Sequence, residues 1–157
     1  MIVVADTSPI NYLILISEIS ILERMYQQVV LPRAVYAELV RPAAPDRVRT
    51  WMEQPPAWIE VRTPSRTSDR ALDLLDPGER DAILLAEELQ PAQLIIDDWE
   101  GRQEAQRRGL KVAGTLGTLQ EAAKLGLVDL QGAIKRLQGT SFFISPELLS
   151  RILNEQA

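Results

Sequence analysis

Ile2-Val3-Val4-Ala5-Asp6-Thr7-Ser8-Pro9 opens the chain with four apolar residues followed by an acid, two hydroxyls and a proline. A short run of β-branched residues reads as a buried strand, and Pro9 reads as the first residue of a following helix. Ser8 then falls at the N-cap, where a hydroxyl accepts from the free amides of the first turn. That leaves Asp6 at the carboxyl end of the strand with no capping duty. In open α/β sheets ligands bind at that edge. The plainer role for such an aspartate is to close an Asx-type turn.

Outward from this stretch, strand and helix patterns alternate along the chain. Apolar spacing predicts helices over 11–16 and 18–28, a strand over 29–31 halted by Pro32, and a helix over 33–40. Pro42 and Pro45 make 41–46 a connector, 58–61 alternates like a strand, and 63–69 is loop-like. Asp76-Pro77-Gly78-Glu79 opens a helix that runs to about Leu89, and the wholly apolar 94–96 reads as a strand covered on both faces. A polar helix over 99–108 ends at Gly109, and a strand follows over 111–113. Gly114-Thr115-Leu116-Gly117 turns into a helix over 118–125 that Gly126 closes. Helices over 130–137 and 146–154 finish the chain, joined by 141–145 as loop or strand. Strands separated by helices imply a single α/β domain over 1–157, built on a mostly parallel sheet.

Composition removes most catalytic chemistries. The 157 residues contain no histidine and no cysteine. Histidine-based triads, thiolate nucleophiles, almost every zinc site and all disulfides are therefore excluded. Carboxylates, hydroxyls, lysines and arginines remain, and clustered carboxylates favour hard cations such as Mg²⁺ or Mn²⁺. No apolar stretch approaches a membrane span and the first residues carry no basic leader, so a cytoplasmic protein is expected. A net charge of −5 argues against a general nucleic-acid-coating role. It leaves room for an enzyme whose acidic pocket meets a phosphate backbone through cations.

Acids fall at strand ends, at helix starts or on otherwise apolar helix faces in four places. Asp6 is the first. Glu38 shares a helix face with Ala34 and Val35, so it interrupts an apolar side, although the rim of a solvated face is its plain reading. Glu79 stands at the third helical position after Asp76 and completes a capping box, whereas Asp81 has no such role. Asp97-Asp98 follows a strand; one acid caps the next helix, and the other is surplus. Adjacent acids repel, which a bound cation or a retained proton relieves.

Taken in order, Val3 to Pro9, Leu31-Pro32 through Val35 with Glu38-Leu39, Gly78-Glu79-Arg80-Asp81-Ala82-Ile83, and Ile95-Ile96-Asp97-Asp98 with Gly101-Arg102 resemble a PIN domain. Gly114-Thr115-Leu116-Gly117 and the helix end Ala123-Lys124-Leu125-Gly126 resemble an uncharacterised VapC-like subgroup. The resemblance implies a three-layer fold with a four- or five-stranded parallel sheet between helices. It also implies a Mg²⁺- or Mn²⁺-dependent endoribonuclease acting on single-stranded RNA, often the toxin paired with an antitoxin protein. The implied acids are Asp6, Glu38, Glu79 or Asp81, and Asp97 or Asp98. This chain departs from the usual family turn by carrying Asp-Asp-Trp at 97–99.

The leading expectation is a phosphodiesterase with Asp6, Asp97 and Glu79 or Asp81 on metal, and Glu38 and Asp98 on waters or a second ion. Ser8, Thr115 and Arg102 are expected at the substrate, and a homodimer is a further expectation. Arg107, Arg108 and Lys111 extend the densest basic stretch, for which a solvated helix face is the plainer reading. The competing class is a non-catalytic metal-binding α/β module, either receiver-like or an inactive PIN domain. A receiver wants its acid pair after the first strand, and here the pair comes late.

Overall fold

The computed structural model describes residues 1–155. Its first half runs β1 (Ile2–Ala5), α1 (Thr7–Leu15), α2 (Ser20–Tyr26), β2 (Gln28–Pro32), α3 (Arg33–Val40), α4 (Asp46–Glu53) and β3 (Ile59–Arg62). Then come α5 (Arg70–Asp73), α6 (Pro77–Leu89), β4 (Gln93–Ile95), α7 (Trp99–Arg107) and β5 (Val112–Ala113). The helices α8 (Thr115–Lys124), α9 (Leu130–Gln138) and α10 (Pro146–Glu155) complete it. Every strand pairing is parallel, in the order β3-β2-β1-β4-β5.

Side chains alternate across a strand, so an all-apolar strand must be covered on both faces. Val3 and Ala5 pack with Ile10, Leu13, Val35, Leu39, Leu119 and Leu137 on one face of the sheet. Val4 packs on the other with Ile83, Leu85 and Leu72. The same split holds in β2, where Val29 and Leu31 join the first cluster and Val30 the second. The result is the three-layer α/β arrangement with a five-stranded sheet.

Strand order positions the site. From β1 the chain moves to one side for β2 and β3, then returns to lay β4 on β1's other edge. The carboxyl ends of β1 and β4 therefore flank the topological switch point, where open sheets leave a crevice. Ala5 stands opposite Ile95, and the Asp6 amide donates to the Ile95 carbonyl at 2.9 Å, so the pairing runs right up to the acids.

Three local expectations are corrected. Helix α1 begins at Thr7, two residues before Pro9, so Ser8 lies inside its first turn and is not the N-cap. Gly114 takes the N-cap position of α8, and Thr115 to Gly117 form that helix's first turn rather than a separate one. The sequence also hides α4 between prolines; Val48 and Met52, four apart, bury its inner face. The basic stretch is largely committed to the protein itself. Arg108 bridges Asp69 at 2.8 Å, Glu87 at 3.1 Å and Glu104 at 2.7 Å, and Arg107 pairs with Glu104. Among the described residues no helix is long and apolar enough to cross a membrane.

Candidate active site

Asp6 takes the N-cap position of α1 with extended backbone (φ −85°, ψ 176°), yet its carboxylate makes no capping bond. The residue is 6% exposed. Burial raises its pKa from 3.8 to about 7; the Thr7 amide offsets part of this, and the charges of Asp76, Glu38 and Asp97 add to it. A carboxyl that ionises only near neutrality, surrounded by other acids, is set to accept a cation or keep a proton.

The surplus acid after β4 is Asp97. Asp98 Oδ2 accepts from the Gly101 amide at 3.2 Å and so caps α7. Asp97 is instead held by three donors. Its Oδ1 accepts from the Thr115 amide at 2.7 Å, and its Oδ2 accepts from Ser8 Oγ and Thr115 Oγ1, each at 2.7 Å. Two helix starts, α1 and α8, thus converge on one carboxylate. The hydroxyls of Ser8 and Thr115, expected at the substrate, are directed to Asp97. Gly114 permits this packing, since a Cβ there would stand 2.8 Å from Asp97 Oδ1 and 2.8 Å from Arg102 Nη1.

Helix α6 decides between the next two candidates. Asp76 Oδ1 accepts from the Glu79 amide at 2.8 Å, the expected N-cap. The Glu79 side chain is buried and lines the same cavity as Asp6. Burial raises its pKa from 4.5 to about 8, aided by a hydrogen bond to Asp76 and the charges of Asp76, Asp98 and Asp6. Asp81 lies outside the lining of this cavity and pairs with Arg80 at 2.9 Å. Two residues on a helix are about 200° apart, so the two acids cannot share a face. Geometry therefore places Glu79, and not Asp81, among the clustered acids.

Glu38 enters from α3. Its Oε2 accepts from Thr7 Oγ1 at 2.8 Å. A Cβ on Gly78 would lie 3.0 Å from Glu38 Oε1 and 3.2 Å from Asp6 Oδ1, so both acids approach Gly78 more closely than a larger residue would comfortably allow. Asp76 also lines the cavity, a role hidden because capping already accounted for it. Trp99 and Asn11 were not expected there either. Arg102 lies instead on a neighbouring cavity that shares Asp97 and Trp99.

The cavity holds about 740 Å³ at the switch point. Six acids line it (Asp6, Glu38, Asp76, Glu79, Asp97 and Asp98), with Arg41 the one basic residue among the described lining. A family model described as a PIN domain matches residues 2–157. The chain belongs to the PIN-domain family. No curated protein matches it. PIN domains are generally nucleases that use divalent metals, and the donor set of this PIN domain fits such an ion: oxygen ligands only, several charges, and carboxylate oxygens of Asp6 and Glu38 brought close together beside Gly78. Among the described residues no three acids already stand around a single point suited to a metal. Asp97 and Glu38 each accept from a hydroxyl, and Asp76 and Asp98 each accept from a helix amide.

Proposed function

We propose that this PIN domain is a Mg²⁺- or Mn²⁺-dependent endoribonuclease that hydrolyses single-stranded RNA. The observation that carries the reading is the convergence of Asp6, Glu38, Glu79 and Asp97 on one cavity at the β1/β4 switch point, two of them with pKa raised to about 7 and about 8. Asp6, Glu79 and Asp97 would hold the ion, and Glu38 and Asp98 would hold water or a second ion. When bound, the ion supplies a nucleophilic water at neutral pH and neutralises charge on the scissile phosphate.

The chain's own residues do the positioning. Ser8 and Thr115 fix the plane of the Asp97 carboxylate, and Thr7 fixes Glu38 with Oε1 close to Gly78 and Asp6. With no histidine in the chain, a metal-free route through imidazole acid and base is closed. Hydrolysis is then the addition of water at phosphorus with cleavage of the P–O bond to a ribose oxygen, the proton of that water passing to a carboxylate and the departing oxygen taking one up from solvent to become a hydroxyl.

The finer reading is a VapC-like toxin, which rests on the Gly114-Thr115 turn resemblance and is tested by growth. Purified protein with Mn²⁺ is expected to cut a diverse pool of single-stranded RNA, with activity lost in EDTA and in Asp6→Asn. Expression is expected to arrest growth, with relief by the same substitution. No cleavage in Mn²⁺ together with harmless expression would leave the protein a non-catalytic metal-binding module.

A further inference from the structure

Trp99 has no structural task that accounts for it. It is the first residue of α7, directly after the acid pair, and is 71% exposed. It lines the acidic cavity and also a second cavity of about 810 Å³ on the other side of Asp97. Phe143, 81% exposed, stands on that second cavity's lining. Its neighbour Phe142 is anchored edge-on against Tyr12, ring centroids 5.0 Å apart, which fixes the loop that carries both.

The rest of that lining differs in charge from the acidic cavity beside it. Arg102 and Arg151 are on it and form no ion pair among the described residues, and Asp97 on the shared wall is its one acid among them. Gln103 and Gln120 add amides. Arg102 Nη1 and Asp97 Oδ1 each lie 2.8 Å from the position of a Cβ on Gly114, so this guanidinium stands at the junction of the two cavities. Free cations interleaved with exposed aromatic faces are what a flexible single strand uses, because every base offers a π-face and every linkage a charge.

We propose that the second cavity is a base-stacking subsite for single-stranded RNA, in which Trp99 and Phe143 stack bases while Arg102 and Arg151 grip phosphates flanking the scissile one. The inference rests on the ribonuclease reading of the adjacent cavity and names where the strand continues. It assigns the departure Asp97-Asp98-Trp99 a purpose: the residue after the capping acid is the platform that hands a nucleotide from one cavity to the other.

The test is binding in the Asp6→Asn background, so that no strand is cut, read by fluorescence anisotropy with a short labelled oligouridylate and with an abasic phosphodiester of equal length. The base-bearing strand is expected to bind more tightly than the abasic one. Trp99→Ala and Phe143→Ala should each weaken it about tenfold, with Trp99→Phe restoring most of the affinity. Arg102→Gln should weaken both strands alike and flatten the salt dependence. Melting temperatures should not move, since both aromatic side chains are exposed. Equal affinity for the two strands, or affinity indifferent to both alanine changes, overturns the subsite. So does a Trp99→Ala variant that loses only self-association in sedimentation, which would make this face a contact between copies. Cleavage by the unmodified protein with binding indifferent to Trp99 and Phe143 would sink the subsite alone. Stacking-dependent binding without cleavage in Mn²⁺ would sink the ribonuclease reading alone.

Discussion

Replacing Asp6 with Asn is expected to stabilise the metal-free protein at pH 8 and to abolish most of its response to Mn²⁺. Burial and neighbouring acids raise the Asp6 carboxyl from 3.8 to about 7. A raised carboxyl binds its proton more tightly in the folded state, so the unfolded chain ionises first as pH rises. Stability contributed by this group is complete below pH 3.8 and falls until pH reaches about 7. The full difference is worth about 4 kcal/mol at one site, which for a chain of this size is on the order of 10 °C in melting temperature. Glu79 shifts in the same direction, and because the charge of Asp6 acts on Glu79 their contributions do not add. The assay is scanning calorimetry of wild type and Asp6→Asn at pH 5 to 8, in EDTA and in Mn²⁺. The wild type should lose melting temperature relative to the variant across that range in EDTA, and Mn²⁺ should recover it at pH 8. Parallel melting curves for the two proteins in EDTA, with equal Mn²⁺ shifts, would mean that Asp6 neither carries a raised pKa nor holds the ion.

Two further outcomes follow from the same geometry. Thr115→Val removes the hydroxyl donor to Asp97 Oδ2 and leaves the amide donor to Oδ1, so Mn²⁺ affinity measured by calorimetric titration should fall about tenfold with the fold intact. Gly78→Ala puts a methyl 3.0 Å from Glu38 Oε1 and 3.2 Å from Asp6 Oδ1 and displaces both carboxylates; it should cost more in Mn²⁺ affinity than in melting temperature, and a drop confined to melting temperature would count against these two acids serving the ion.

The fold was legible because its central strands are unbroken apolar runs. Val3-Val4-Ala5 and Leu94-Ile95 admit no solvated face, and the helices between them force parallel neighbours. The placement of Asp6 and Asp97 follows directly. What sequence left open was decided by capping. Asp98 caps α7 and frees Asp97, while Asp76 caps α6 and still faces the cavity, which residue order alone does not reveal. Ser8 misled for the same reason: a serine before proline reads as a cap, but α1 starts earlier and its hydroxyl reaches Asp97 across 89 positions of chain. Choosing Glu79 over Asp81 needed the facing of α6, and recognising that Arg108 is structural needed Asp69, Glu87 and Glu104 in space. The helix over Asp46–Glu53 was concealed by prolines on both sides and a mostly polar composition.

The proposed divalent ion would sit where β1 and β4 end, and anomalous diffraction from crystals equilibrated with Mn²⁺ would locate it. The expected result is a manganese peak in the cavity within coordinating distance of Asp6 and Asp97, with Glu79 or Glu38 turned toward it, and no peak there in Asp6→Asn. Manganese absent from this cavity in wild-type crystals, at a concentration that saturates the protein in solution, would contradict it.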